Sequence, residues 1–173
     1  LIQNMRSQSL PIDWLKATAN WHFALGVNNI TSYYNMSVFS TEELTSFNRY
    51  FARTGLAVRQ GIRQNRVAML CPDNAMFALF RPTEQARNGG QCEELATVNR
   101  CFSKASWELL NRQIDFAYLD EEELQKAAPE NGRLKLRSQQ FDTLLLPAAF
   151  VLETKTLELI CRFIDAGGQV IAL

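Results

Sequence analysis

The spacing of apolar residues along the chain changes near residue 64. Before that point apolar positions recur every three or four residues, which predicts amphipathic helices. After it, short continuous apolar runs alternate with helical stretches, as in a parallel sheet whose strands are joined by helices. The pattern therefore predicts two regions, a helical segment over 1–63 and an α/β domain over 64–173.

The first helix is expected over 10–25. Pro11 and Asp13 are start signals for a helix, and Gly26 is a stop signal. The following stretch, 26–34, predicts a short strand that leads into a polar and aromatic loop.

The second helix is expected to begin after Ser40. Ser40 and Glu43 have the spacing of a capping box, in which the side chain of each residue bonds the backbone of the other. The helical pattern then continues to about Gln60, where Gly61 ends it.

The α/β region alternates strands and helices, which predicts right-handed crossovers on a mainly parallel sheet. The expected fold is a three-layer α/β/α, flavodoxin-like domain. Its predicted strands are 67–71, 114–119, 141–146 and 169–173, with an exposed strand at 132–136. Its predicted helices are 90–112, with an inner face of Leu95, Val98, Phe102, Trp107, Leu109 and Leu110, then 120–127 and 153–164.

The composition argues against two kinds of binding partner, nucleic acid and membranes. Hydrophobic residues make up 47% of the 173 residues and charged residues 21%, which is typical of a globular chain with a core. The 18 basic and 18 acidic residues cancel, so there is no basic field to attract nucleic acid. No apolar run approaches the roughly 18 residues of a membrane-spanning helix. We therefore expect neither nucleic acid nor a membrane as partner.

The sequence predicts no metal site and no cofactor. It contains one histidine, His22, which we expect to be a hydrogen-bonded packing residue. The first strand-to-helix turn, 71–75, has no glycine-rich phosphate loop. The cysteines lack ligand spacing and are expected to be free, buried thiols: Cys71, Cys92, Cys101 and Cys161.

The binding crevice of a parallel sheet lies beyond the carboxyl ends of its strands, here at 71–74, 120–121 and 147–148. Cys71 lacks the small neighbours of a nucleophile elbow. A small hydrolase or transferase that uses Cys71 or Asp73 nevertheless stays an alternative. The acidic run 120–123 is expected to be a solvated helix N-terminus rather than a Ca²⁺ site.

Aromatic and amide side chains predict a candidate sugar-binding surface. Tyr33, Tyr34 and Asn35 follow the predicted strand, and sugars stack and hydrogen-bond on such groups. With Asp73 they are the candidate substrate-binding residues. A carbohydrate-binding module in which Trp21 joins the two tyrosines is a further alternative.

Several stretches resemble, in order, the α-L-rhamnosidase-type glycoside hydrolases. The resemblance covers about 12–173. For the central region of those enzymes it is carried by FAYLDEEEL at 116–124, NGRLKL at 131–136, FDTLLLP at 141–147 and IDAGGQVI at 164–171. Upstream, ALGVN at 24–28 resembles the last strand region of the catalytic barrel, and VAMLCP at 67–72 with ALFRP at 78–82 resembles the start of the next domain.

The resemblance implies a non-catalytic domain with the fold shared by the β-galactosidase trimerisation domain and class I glutamine amidotransferases. Residues 1–63 would be the end of a catalytic barrel, and the catalytic residues, unknown here, would lie outside the chain. The implied partners are the remainder of a larger glycosidase, a second subunit and carbohydrate, in the periplasm or outside the cell. Because the chain lacks an initiator methionine and stops in an apolar run, we expect a piece of a longer protein.

Overall fold

A computed structural model describes residues 11–31, 36–83 and 92–173. The chain divides into two compact units, 1–63 and 64–173. The boundary coincides with the change in the hydrophobic pattern.

Among its described residues, the first unit contains two helices, α1 (Ile12–Ala24) and α2 (Thr41–Gln60), with a short 3-10 turn at Met36–Val38. The predicted capping box is confirmed. The Ser40 hydroxyl accepts a bond of 3.2 Å from the N–H of Glu43, whose carboxylate accepts one of 2.9 Å from the N–H of Ser40.

The two helices pack through aromatic side chains. Phe23 of α1 is buried, and its ring centroid lies 5.1 Å from that of Phe51 on α2. Gly55 is buried beside the Phe23 ring, where a Cβ would lie 3.6 Å from the ring edge. At the flank of this contact, the Tyr50 hydroxyl donates a bond of 2.7 Å to the side-chain oxygen of Asn20.

The strand predicted over 26–34 is wrong for residues 26–31, which form no strand, and its remaining positions lie outside the described residues. Gly26 ends α1 with a φ of 89°. Arginine side chains then bind the carbonyl groups that a neighbouring strand would bind. Arg63 donates to the Leu25 oxygen at 2.8 Å, and Arg59 donates to the Asn28 oxygen at 3.0 Å.

The second unit carries four helices and seven strands among its described residues. In chain order they are β1 (Val67–Leu70), α3 (Asp73–Leu79), α4 (Glu93–Asn111), β2 (Phe116–Leu119), α5 (Glu121–Gln125), β3 (Ala128–Glu130), β4 (Arg133–Leu136), β5 (Gln139–Phe141), β6 (Thr143–Leu146), α6 (Thr154–Asp165) and β7 (Gln169–Ala172).

Four of the strands form a parallel sheet in the order β2-β1-β6-β7. In β1, Ala68 lies beside Ala117 of β2 on one side and beside Leu144 of β6 on the other. Numbered along the chain, the parallel strands follow the order 2-1-3-4, which is that of flavodoxin-like sheets. The predicted α/β fold is confirmed.

Both faces of the parallel sheet are covered. On one face, Met69 and Leu145 pack against α4. On the other, Ala68, Leu70 and Leu144 pack against α5 and α6 through Leu124, Leu159, Ile160 and Phe163. Because adjacent residues of a strand point to opposite faces, a strand buried on both faces is apolar throughout, as the sequence indicated.

The strand predicted over 141–146 is divided in two. β5 ends at Phe141, and Asp142 forms the bend into β6. The Asp142 carboxylate accepts a bond of 2.6 Å from Nε of Arg66. β5 pairs with β4, and β4 pairs with β3, so these three strands form a separate antiparallel sheet that the sequence did not predict.

Three further expectations for this unit differ from the structure. β4 is exposed on one face only, since Leu134 and Leu136 are buried in the core with Phe163. Helix α3 was not predicted. Trp107 is 58% exposed, because it projects about 100° around α4 from the buried Ser106.

No helix in the described part of the chain is both long enough and apolar enough to span a bilayer.

Candidate functional site

The segments that follow β1 and β2 lie side by side at the carboxyl edge of the sheet. β1 leads into Cys71, and β2 leads into Asp120. The N–H of Cys71 donates a bond of 2.8 Å to the oxygen of Leu119, which extends the pairing of the two strands by one residue. The polar residues after each strand are therefore brought within reach of one another.

Glu121 connects the segments that follow three strands. It lies in the first turn of α5 and is only 7% exposed. One carboxylate oxygen accepts a bond of 2.6 Å from the side-chain amide of Asn74, after β1. The other accepts a bond of 2.8 Å from the backbone N–H of Glu153, which precedes α6 and follows β6. We call this arrangement the Glu121 bridge.

The hydrogen bonds of the Glu121 bridge offset the free energy that burying a carboxylate costs. A buried carboxylate is strongly unfavourable unless hydrogen bonds replace its lost water. Here each oxygen of Glu121 has a donor, and the carboxylate lies at the N-terminal end of α5, where the helix dipole favours negative charge. The same bonds fix the loops after β1, β2 and β6 relative to one another.

Other residues of the acidic run behave as the sequence predicts. Asp120 caps α5, and its carboxylate accepts a bond of 2.7 Å from the N–H of Glu123. The hydrogen bond from Lys126 lowers the pKa of Glu123, and the nearby charge of Arg137 acts in the same direction. The expectation of a wholly solvated run is wrong at Glu121, because this side chain turns inward to the Asn74 amide.

The Cys71 thiol lies in surroundings that disfavour its ionisation. Burial raises the pKa of Cys71 to about 11, and the negative charges of Asp73 and Asp120 contribute to the increase. The thiolate is the nucleophilic form of cysteine. At neutral pH this thiol is therefore protonated and poorly suited to attack a substrate.

The structure describes one of the four predicted substrate-binding residues. Asp73 is the first residue of α3, where its side chain is exposed and close enough to Cys71 to affect its ionisation. Tyr33, Tyr34 and Asn35 lie outside the described residues.

Sequence reasoning missed the pairing of Asn74 with Glu121. Both residues follow buried parallel strands, and that position was the available signal. Nothing in the order of the three consecutive glutamates marks Glu121 as the one that turns inward.

The expectation for the cysteines is partly wrong. All four, each within the described residues, are free thiols. Cys71, Cys92 and Cys101 are only partly buried, and Cys161 is exposed because it faces away from the sheet on α6. The expectation for His22 is confirmed, since its Nδ1 lies 2.7 Å from the Thr18 oxygen in a partly buried position.

Among the described residues, no three histidine, cysteine or acidic side chains are grouped so that they could hold a metal ion. Comparison of the chain with protein-family models, with curated proteins and with solved structures finds no match in any of the three.

Proposed function

We propose that the 64–173 unit is a non-catalytic scaffold or interface domain of a carbohydrate-active enzyme that resembles the α-L-rhamnosidase-type glycoside hydrolases. The order of the four stretches between 116 and 171 supports the link to that family. The observation that carries the non-catalytic role is the Glu121 bridge, because it uses the buried carboxylate at the strand ends to hold the loops together.

Glycosidic cleavage uses two carboxyl groups in one cleft, one of which exchanges a proton with the sugar. Both oxygens of Glu121 are already bonded, to Asn74 and to the N–H of Glu153. Asp120 is engaged in capping α5. The carboxylates at this edge therefore support a structural role.

A protonated Cys71 also argues against the alternative of a small hydrolase or transferase. Its pKa of about 11 leaves almost no thiolate at neutral pH, and negative groups surround it where an activated thiol needs a base or a positive charge. Asp73, the other residue of that alternative, is exposed.

Exposed aromatic residues support the interface role. Phe77, in α3, is 79% exposed, and Phe80, which directly follows the helix, is 47% exposed. Phe150, after β6, is 60% exposed. Apolar side chains of this size on a surface are typical of contacts with another protein surface. The partner would be the remainder of a larger glycosidase chain or a second subunit.

The test is a glycosidase assay of the chain with chromogenic α-L-rhamnosides, β-galactosides and related sugars. We expect no turnover above that of the heat-inactivated protein. Robust turnover that is abolished by Asp73→Asn or Asp120→Asn, and retained by Glu158→Gln as a control on the exposed face of α6, would contradict the proposal.

One observation favours a carbohydrate-binding module as the second candidate. Trp14 and Trp21 of α1 are 55% and 54% exposed, and they lie seven residues apart on one side of the helix. That spacing places them about 10 Å apart along the helix axis. Two exposed indoles at such a distance can stack on separate rings of one oligosaccharide.

Tryptophan fluorescence distinguishes the two candidates. If the module binds sugar, titration with oligosaccharides changes the emission, and Trp21→Ala removes most of the change. Trp107→Ala, which removes an exposed tryptophan of the other unit, leaves the change in place. The scaffold role predicts no change with any sugar.

A further inference from the structure

A shallow groove of about 650 Å³, open to solvent, runs along one side of α2. The residues that line it recur every three or four positions, so they share one side of the helix. This side differs from the one on which Phe51 and Gly55 face α1. Among the described residues, those that line this α2 groove are Ser46, Arg49, Tyr50, Arg53, Thr54 and Ala57.

Two arginines give the α2 groove an unbalanced positive charge. Arg49 and Arg53 lie four residues apart, so their side chains are neighbours on the helix surface and repel each other. Both are exposed, and within the described ranges neither has an ion pair or a hydrogen bond. Guanidinium groups remain charged at any physiological pH. A bound anion would relieve the repulsion.

The acidic residues of α2 do not neutralise this pair. Glu42 and Glu43 lie in the first turn of the helix, and Glu43 is engaged in the capping box with Ser40. Favourable pairs on a helix are limited to residues three or four apart. Arg49 and Arg53 are too far along the helix for either glutamate.

Hydroxyl groups extend the set of donors in the α2 groove. Ser46 and Thr54 each carry a hydroxyl, and the Tyr50 ring lies between them along the helix. The bond from the Tyr50 hydroxyl to Asn20 holds that ring in place. The groove thus combines two planar guanidinium groups with hydroxyl donors and the aromatic ring of Tyr50.

We propose that the α2 groove binds the carboxylate or phosphate group of a small ligand. The guanidinium groups of Arg49 and Arg53 donate N–H bonds to its oxygens, since the planar fork of arginine matches both kinds of anion. Hydroxyl groups at 46 and 54 bond the remaining oxygens or the body of the ligand. The proposal uses residues of the first unit only and does not depend on the scaffold role.

The test is a titration followed by amide chemical shifts in NMR spectra. The probes are inorganic phosphate, glucuronate and, as a neutral control, glucose. We expect saturable shifts confined to residues 46–57 of α2 with phosphate, with glucuronate or with both. The anion that binds more tightly shows whether the groove prefers a phosphate or a carboxylate group. Glucose leaves these amides unchanged.

Matched variants test the role of the arginines. Arg53→Gln weakens binding about tenfold, the effect of losing one charge-assisted bonding group. Arg112→Gln makes the same change of charge at an exposed arginine directly after α4 and leaves the affinity unchanged. Arg53→Lys, which keeps the charge and loses the planar fork, has intermediate affinity and shows that any loss is not caused by unfolding.

Three results would overturn the proposal. These are the absence of a saturable shift with either anion, equal shifts with glucose, and equal weakening by Arg53→Gln and Arg112→Gln. The last result would mean that the anions respond only to the net charge of the chain.

Discussion

The side-chain amide of Asn74 donates a hydrogen bond of 2.6 Å to the carboxylate of Glu121, a residue 47 positions further along the chain. The bond connects the segments after β1 and β2, and the second oxygen of the same carboxylate reaches the backbone before α6. In flavodoxin-like sheets this edge is where ligands bind. Here its buried carboxylate holds three loops in place.

We expect Glu121→Gln to lower the free energy of unfolding by about 1–3 kcal/mol, because one of the two bonded oxygens becomes an amide group that faces a donor. Urea denaturation measures the change. Glu122→Gln is the control, since Glu122 is exposed and its ion pair with Lys126 lies at the surface, where such pairs contribute little. Equal effects of the two substitutions would mean that the Glu121 bridge does not stabilise the fold.

Gly168→Ala should destabilise the second unit by more than about 2 kcal/mol, because the added methyl group would overlap the ring of Phe163. That ring is fully buried in the core, so moving it would disturb the side chains that pack around it. Gly61→Ala is the matched control, since its nearest neighbour would be the Val58 oxygen at an ordinary 3.6 Å. Thermal unfolding compares the two, and a tolerated Gly168→Ala would show that the core can rearrange around Phe163.

Alkylation of Cys71 should be slow at neutral pH and accelerate up to about pH 11, since the thiolate is the reactive form. Mass spectrometry after timed treatment with iodoacetamide measures the rate at each pH. Asp73→Asn lowers the pKa of Cys71 by removing a nearby negative charge, and so increases the rate near neutral pH. Asp165→Asn, at the C-terminal end of α6, serves as a control and should not.

The raised pKa of Cys71 also predicts that the protein loses stability at alkaline pH. The thiol of the unfolded chain ionises near its ordinary value of 9.0, whereas that of the folded chain ionises near 11. The contribution of Cys71 to stability is therefore complete below pH 9 and is lost as the pH rises to about 11. Cys71→Ser should reduce this part of the alkaline loss. An unchanged profile would mean that the folded thiol is not perturbed.

Glu123 should titrate below the ordinary pKa of 4.5, because Lys126 and Arg137 stabilise its charged form. Its contribution to stability is then present above about pH 4.5 and is lost as the pH falls through the lower, folded value. Side-chain carboxyl shifts in NMR spectra follow the titration directly. We expect Lys126→Met to return the pKa towards 4.5 further than Arg137→Met does, since the hydrogen bond from Lys126 is the larger cause.

Local patterns were sufficient to predict most of the helices and strands. The capping box at Ser40 and Glu43 depends on residues within one helical turn, and the apolar run of β1 reports burial on both faces of a strand. The predicted α/β class followed from these spacings. The predictions were wrong where contacts with a neighbouring element decide the backbone structure. An example is residues 26–31, where Arg59 and Arg63 bind the carbonyl groups.

The sequence by itself determined the class of fold, most of the helices and the four strands of the parallel sheet, because the period of the apolar residues reflects the geometry of each local backbone segment. Only the tertiary structure decided the pairing of β5 with β4, the exposure of Trp107 and the inward turn of Glu121. These features depend on contacts between residues that are distant along the chain. A local period carries no information about which distant partner lies opposite a given side chain.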